Sequence, residues 1–211
     1  MKQIDYISLK KYYELKFRQH GDTHKGVDWP VEKDALTRYD VMLDLLTHNA
    51  KALPKIPVVL DFGCGLSHLY DHIKKKNISI DYIGCDISDI FIKTSQRKFP
   101  HLKYIQADIC KEPEKIPCVD YTVMNGLFTE KINLNYYSMW NWTQEVLKVI
   151  SSKTRHGIAC NFMSKNVDWE RDDLFHLSKD TLTGFITKHI SRNFIIRSNY
   201  GLYEYTVYIY K

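Results

Sequence analysis

The sequence is poor in the features that mark several protein classes. No apolar run approaches the roughly 20 residues of a membrane-spanning helix, and Met1-Lys2-Gln3-Ile4-Asp5-Tyr6 has no apolar stretch of the secretory-leader type. Cysteine is sparse and odd in number: Cys64, Cys85, Cys110, Cys118 and Cys160 are scattered, with no C-x-x-C pair. That argues against a zinc ribbon and a dithiol redox motif, and makes a reduced, cytoplasmic location the expectation. Two histidine pairs stand at i, i+4, His20/His24 and His68/His72, but Gly21 interrupts the first and no H-E-x-x-H accompanies either. No metal is expected.

What is present is ordinary globular material. The 211 residues are 44% hydrophobic and 26% charged, with a formal net charge of +5. This excludes disorder and low-complexity character, sets one domain as the default, and permits an anionic partner without requiring one. Tyrosine is abundant at 15 residues, a phenol content that suits a lined pocket as well as a core.

Apolar residues at helical spacing predict a helix over Gln3–Arg18 and a second over Glu32–Asn49, the latter with Leu36, Tyr39, Met42, Leu43 and Leu46 on one face. Gly21–Pro30 reads as a loop, and Pro54 and Pro57 punctuate the chain. From Val58 onward strands and helices alternate. Strands are predicted at 58–60, 82–85, 103–107, 121–124 and 157–162, with helices at 67–76, 88–99, 135–150 and 179–190. Ser67 and Ser88 are candidate helix caps. Met163–His176 reads as a loop, and strands at 194–197 and 203–210 close the chain as a hairpin. The expectation is a doubly wound α/β fold of the Rossmann-like kind: a seven-stranded, mainly parallel sheet with one antiparallel strand. Residues 1–57 would form an N-terminal helical extension or lid, and 58–211 the core.

Ligands of such sheets bind beyond the carboxyl ends of the strands. Four successive predicted strands end in polar side chains: Asp61, Asp86, Asp108 and Asn125. All four would ring one crevice. Gly63 and Gly65 allow a tight turn and close approach of backbone to a ligand. A dinucleotide fingerprint would place a third glycine where His68 stands, and Asp61 would oppose a pyrophosphate. The acids suit a ligand with an ammonium, ribose hydroxyls and an adenine amine but no phosphate, which describes S-adenosylmethionine. Asp61 with the Gly63-Cys64-Gly65 backbone would hold its methionine end. Asp86 would accept from the ribose hydroxyls and Ile87 would pack on the adenine. Asp108 would accept from the adenine amine beside Ile109. Asn125 and Gly126 would underlie the departing methyl.

Val58-Val59-Leu60-Asp61-Phe62-Gly63-Cys64-Gly65, Gly84-Cys85-Asp86-Ile87-Ser88 and Gln106-Ala107-Asp108-Ile109 resemble the successive motifs of class I S-adenosylmethionine-dependent methyltransferases. Outside the core, His20-Gly21-Asp22-Thr23-His24-Lys25-Gly26-Val27-Asp28-Trp29, Arg38-Tyr39 and Tyr200-Gly201-Leu202-Tyr203-Glu204-Tyr205 resemble a bacterial subgroup of small, stand-alone members. The subgroup is often encoded in surface-polysaccharide or small-molecule clusters. The resemblance covers nearly the whole chain and implies S-adenosylmethionine as cofactor, S-adenosylhomocysteine as product and a small polar acceptor, such as an oxygen nucleophile on a saccharide-linked or phosphorylated metabolite. The chain departs from the motif in lacking a third glycine after Gly65-Leu66-Ser67.

Methyl transfer to oxygen gains from a positioned base. His20 and His24, in the loop the resemblance marks, are the leading candidates, with Glu130, His176 and Glu204 behind them. Tyr12, Tyr13, Trp29, Arg38 and Tyr203 are candidates for the cofactor or acceptor pocket, Trp29 and Tyr12 or Tyr13 by cation–π contact with a sulfonium. Two alternatives compete: a ribosomal or transfer RNA methyltransferase, disfavoured because Asn125-Gly126-Leu127-Phe128 lacks the prolines of base-methylating enzymes, and a cofactor-binding protein without catalysis. No membrane partner is expected.

Overall fold

The computed structural model describes residues 6–48 and 55–211. The expected helix start at Gln3 and Ile4, its successor's end at Asn49 and the break at Pro54 lie outside the described residues. The first helix, α1, spans Ile7–His20 and stops at Gly21, whose φ of 65° is a left-handed value that glycine tolerates. A short 3-10 turn, His24–Val27, interrupts the expected loop. α2 runs Glu32–Leu43 and tightens into a 3-10 turn at Asp44–Leu46. Its inward face is Ala35, Tyr39, Met42 and Leu43, whereas Leu36 is exposed.

The core alternates as expected: β1 (Val58–Phe62), α3 (His68–Lys75), β2 (Asp81–Asp86), α4 (Asp89–Lys98), β3 (Lys103–Gln106), β4 (Val119–Phe128), α5 (Tyr136–Lys153), β5 (Thr154–Ser164), β6 (His176–Leu177), α6 (Lys179–His189), β7 (Asn193–Arg197) and β8 (Glu204–Tyr210). The strand order is β3-β2-β1-β4-β5-β8-β7. β8 alone runs antiparallel to its neighbours, pairing Cys160 with Val207 and Ile195 with Tyr208. The seven-stranded sheet is therefore the one expected. The two-residue β6, at the end of the expected loop, adds an eighth by pairing in parallel with Met163 and Ser164 of β5.

Period-two alternation builds a core on each face. Leu60, Ile83, Ile158 and Val207 pack with α5 and α6 on one side; Val59, Tyr82, Ala159 and Tyr208 pack with α2 and α3 on the other. Leu60, Val59 and Ile158 are fully buried, each contributing about 1.5–3 kcal/mol. Leu9 of α1 enters the first cluster, which fixes that helix across the end of the sheet.

Neither expected serine cap forms. Ser67 and Ser88 stand at the N-cap positions of α3 and α4, but their hydroxyls are engaged elsewhere: Ser67 Oγ lies 3.0 Å from Tyr104 OH, and Ser88 Oγ donates to Glu14 at 2.6 Å. β4 extends further than its apolar run. A register shift between Met124 and Phe128 carries Asn125 and Gly126 inside the strand.

Candidate active site

The carboxyl ends of β1 to β4 open into one cavity. All ten residues assigned to the cofactor line it: Asp61, Gly63, Cys64 and Gly65 after β1, Asp86 and Ile87 after β2, Asp108 and Ile109 after β3, and Asn125 and Gly126 in β4. Parallel register sets this convergence, since Asp61 stands opposite Gly84 and Val123.

The turn after β1 is held from β2. The Gly63 and Cys64 amides donate to the Cys85 carbonyl at 2.8 and 3.0 Å, and the Gly65 amide donates to Asp86 Oδ2 at 2.9 Å. Ser88 N–H donates to the other Asp86 oxygen at 2.8 Å. Asp86 is thus aimed by two backbone amides, and each oxygen keeps acceptor capacity. Burial pushes its carboxyl up to about 6, against these bonds. Burial pushes Asp61 up to about 7, although Tyr82 OH donates to its Oδ2 at 2.7 Å. Asn125 Oδ1 is buried with no hydrogen-bond partner among the described residues, an acceptor that a ligand donor would satisfy.

The far side of the cavity comes from α1. Tyr6, Leu9, Lys10 and Tyr13 share its inward face and line the space. Tyr6 OH lies 2.8 Å from both Asp108 oxygens, and its ring stacks on Trp142 at 5.7 Å between centroids. Burial beside the Asp108 charge pushes its phenol upward. The Glu14–Ser88 hydrogen bond and an edge-on Phe17–Phe91 contact complete the seam. Sequence reasoning passed over Glu14 and Trp142, yet the i, i+3, i+4, i+7 spacing of Tyr6, Leu9, Lys10 and Tyr13 marks the inward face.

The other candidates divide. Tyr13 and Trp29 line the cavity, as does Val27, which sequence reasoning did not single out. Tyr12 donates to Asp28 at 2.5 Å outside it. Tyr203 is 74% exposed. Arg38 is paired with Glu204, Nε to Oε2 at 2.8 Å, with its guanidinium carbon 4.2 Å from the Trp29 ring centroid. Neither histidine of the N-terminal loop reaches the cavity. His20 is the exposed last residue of α1. His24 Nδ1 lies 2.6 Å from the Trp29 carbonyl, and its ring faces a depression beside His68 and His72. The loop turns on Gly21 and Gly26, so Val27 and Trp29 point inward in place of the histidines. His176 is buried against the Ser164 carbonyl. Glu130 follows β4 and has one oxygen buried without a partner among the described residues. Burial and the charges of Asp28 and Asp173 push its carboxyl up to about 8.

The site thus offers carboxylates, a free amide oxygen and close backbone. Lys10 is the single Lys or Arg among its lining residues. That set suits the ammonium and hydroxyls of S-adenosylmethionine. Among the described residues, no cluster of three or more His, Cys, Asp or Glu is arranged for a metal, and no helix is long and apolar enough to cross a membrane.

A family model described as a methyltransferase domain matches residues 59–153, from β1 through α5. Fold, site and match together support a class I S-adenosylmethionine-dependent methyltransferase. The Mycobacterium tuberculosis protein Rv1506c, named as a methyltransferase, is 24% identical over 153 residues, 72% of this chain and 91% of its own. Among solved structures, the Burkholderia thailandensis 1,6-didemethyltoxoflavin-N1-methyltransferase, with bound 1,6-didemethyltoxoflavin and S-adenosylhomocysteine, superposes with a TM-score of 0.61 and 13% identity. That match covers 96% of this chain and 89% of the other. Human N-acetylserotonin methyltransferase, in complex with S-adenosylmethionine, has a TM-score of 0.57 and 13% identity over 94% of this chain, which spans 62% of the human protein.

Proposed function

We propose that the chain binds S-adenosylmethionine in this cavity and transfers its methyl group to an oxygen nucleophile on a small polar acceptor, a saccharide-linked or phosphorylated metabolite of a polysaccharide pathway. The observation that carries the cofactor reading is the convergence of Asp61, Asp86, Asp108 and Asn125 on one cavity with the Gly63–Gly65 backbone. The acceptor class is supported by the subgroup resemblance. The small size of the acceptor, as distinct from its class, is also supported by the 1,6-didemethyltoxoflavin bound in the N1-methyltransferase structure.

The cofactor supplies the electrophilic methyl when bound, which leaves the protein to bind, orient and manage a proton. Asp86, held by two amides, would accept from the ribose hydroxyls. Asp61 would meet the ammonium, and Asn125 Oδ1 would accept a donor from the methionine end. Tyr13 and Trp29 would wall the transferring group from water. α1 and the loop after it would close over the site.

The proton acceptor is placed at Glu130 in preference to His20 or His24. Glu130 follows the β4 extension that carries Asn125 and Gly126; it stands behind the lining of the cavity and holds a buried oxygen with no partner among the described residues. The acceptor hydroxyl would give its proton to Glu130 as the acceptor oxygen bonds to the methyl carbon and the carbon–sulfur bond breaks. A base raised to about 8 works when deprotonated, so turnover should climb with pH through that value. With an acceptor found by screening nucleotide sugars and phosphorylated sugars, Glu130→Gln should lower kcat by about 100-fold. It should also remove the pH limb and leave the Kd for S-adenosylmethionine unchanged. Wild-type turnover in Glu130→Gln would remove it as base. His20→Ala should turn over at the wild-type rate, in keeping with the exposed position of His20.

A further inference from the structure

We propose that Glu204 neutralises Arg38 beside the Asn125–Gly126 end of the cavity, and so allows a sulfonium cation to bind next to a stacked guanidinium. The proposal rests on the S-adenosylmethionine reading above.

Glu204 opens β8 and is 2% exposed. It does not line the cavity, yet two chains of contacts lead from it to residues that do. Its Oε2 accepts from Arg38 Nε at 2.8 Å, and the Arg38 guanidinium carbon sits 4.2 Å from the Trp29 ring centroid. Its Oε1 accepts from Asn161 Nδ2 at 3.2 Å, and Asn161 Oδ1 accepts from the Gly126 amide at 2.8 Å. The chains meet again where Trp29 lies on Gly126. A Cβ on Gly126 would fall 2.6 Å from Trp29 Cζ2, and the φ of 76° already favours glycine. One carboxylate thus fixes both an aromatic wall and a backbone amide of the site. The three segments outside the core that carry the subgroup resemblance, 20–29, 38–39 and 200–205, come together at this carboxylate.

The charge of Arg38 explains why a carboxylate stands there. A guanidinium largely shielded from water keeps its positive field over a long range. Unopposed, it would repel a cationic cofactor and leave the neutral, demethylated product untouched. Paired with Glu204, it presents a neutral group behind Trp29. Burial raises the Glu204 carboxyl, and Arg38 opposes that shift.

The test is calorimetric titration of the full chain with S-adenosylmethionine and, separately, S-adenosylhomocysteine. Glu204→Gln keeps the shape and one of the two acceptor oxygens but drops the charge. It should weaken S-adenosylmethionine on the order of tenfold while S-adenosylhomocysteine stays within about twofold. The double variant Arg38→Met/Glu204→Gln removes the unpaired cation and should restore the wild-type ratio of the two affinities. Equal losses for both ligands are what a purely structural role gives, and they would overturn the proposal, as would no loss for either. Should Glu204→Gln fold poorly, thermal melting decides. The double variant should melt above the single, because an unpaired buried charge is the costly element; a double no more stable overturns the pairing. A wild-type chain that binds neither ligand overturns the cofactor reading itself, a failure visible before any variant is made.

Discussion

Asp61 shows how one residue can report on the site. Its carboxyl, ordinarily at 3.8, is pushed up to about 7 by burial at the end of β1, with the Asp86 charge adding to the shift. A raised folded-state value means stability from this group is present below the unfolded value and lost as pH rises through about 7. The ligand-free chain should therefore weaken over that window. An ammonium brought to Asp61 favours the ionised form, so binding below pH 7 must expel a proton. S-adenosylmethionine affinity should fall from pH 8 to 6. At pH 6 the binding enthalpy should vary with the ionisation heat of the buffer, and Asp61→Asn should reduce that dependence to the share that Asp86, raised to about 6, contributes. A buffer-independent enthalpy would contradict the role of Asp61. At this scale the sequence was highly legible: the acids at 61, 86 and 108 and Asn125 follow four apolar strands. The serines misled because capping is only one use of a hydroxyl. Tyr104 and Glu14, distant in sequence, took Ser67 and Ser88 instead.

Among the elements, α1 carries the most consequence. It is anchored in the core at Leu9 and bonded to the site at two points, Tyr6 on Asp108 and Glu14 on Ser88. Tyr6 therefore holds the acid assigned to the adenine amine, so adenine must share Asp108 with the phenol or displace it. Deleting residues 1–20 should leave the sheet folded, since both core clusters lie mostly beyond α1. The deletion should cost at least about tenfold in S-adenosylmethionine affinity, through loss of enclosing apolar and hydrogen-bonding surface. Circular dichroism with calorimetry checks this, and an undiminished affinity would mean α1 is no part of the site. The helix itself was legible from its apolar spacing. Its docking was not, because amphipathicity gives a buried face without naming what buries it. The loop after it was less legible for a related reason: histidines draw attention by chemistry, whereas Val27 and Trp29 are the loop residues that line the cavity.

Across the whole molecule, the fold brings the two ends of the chain to one place. Arg38 and Glu204 are 166 residues apart, and their pair stands behind Trp29. Nothing local in the sequence announces that contact. It arises because β8 inserts antiparallel beside β5, which sets Glu204 opposite Met163 and near Asn161. The alternation of strands and helices made the mainly parallel sheet and its late antiparallel strand legible, while the strand order and the contacts across the sheet needed the assembled structure. The net charge of +5 has little bearing on the cavity, where Lys10 is the single Lys or Arg among the lining residues. The central claim is that this cavity holds S-adenosylmethionine through Asp86. Isothermal titration of the full chain and of Asp86→Ala, each verified as folded by its melting transition, tests it most directly. Saturable one-to-one binding by the wild type, weakened roughly 100-fold or more by loss of the charged acceptor, is the expected result. An unchanged affinity in Asp86→Ala would contradict it.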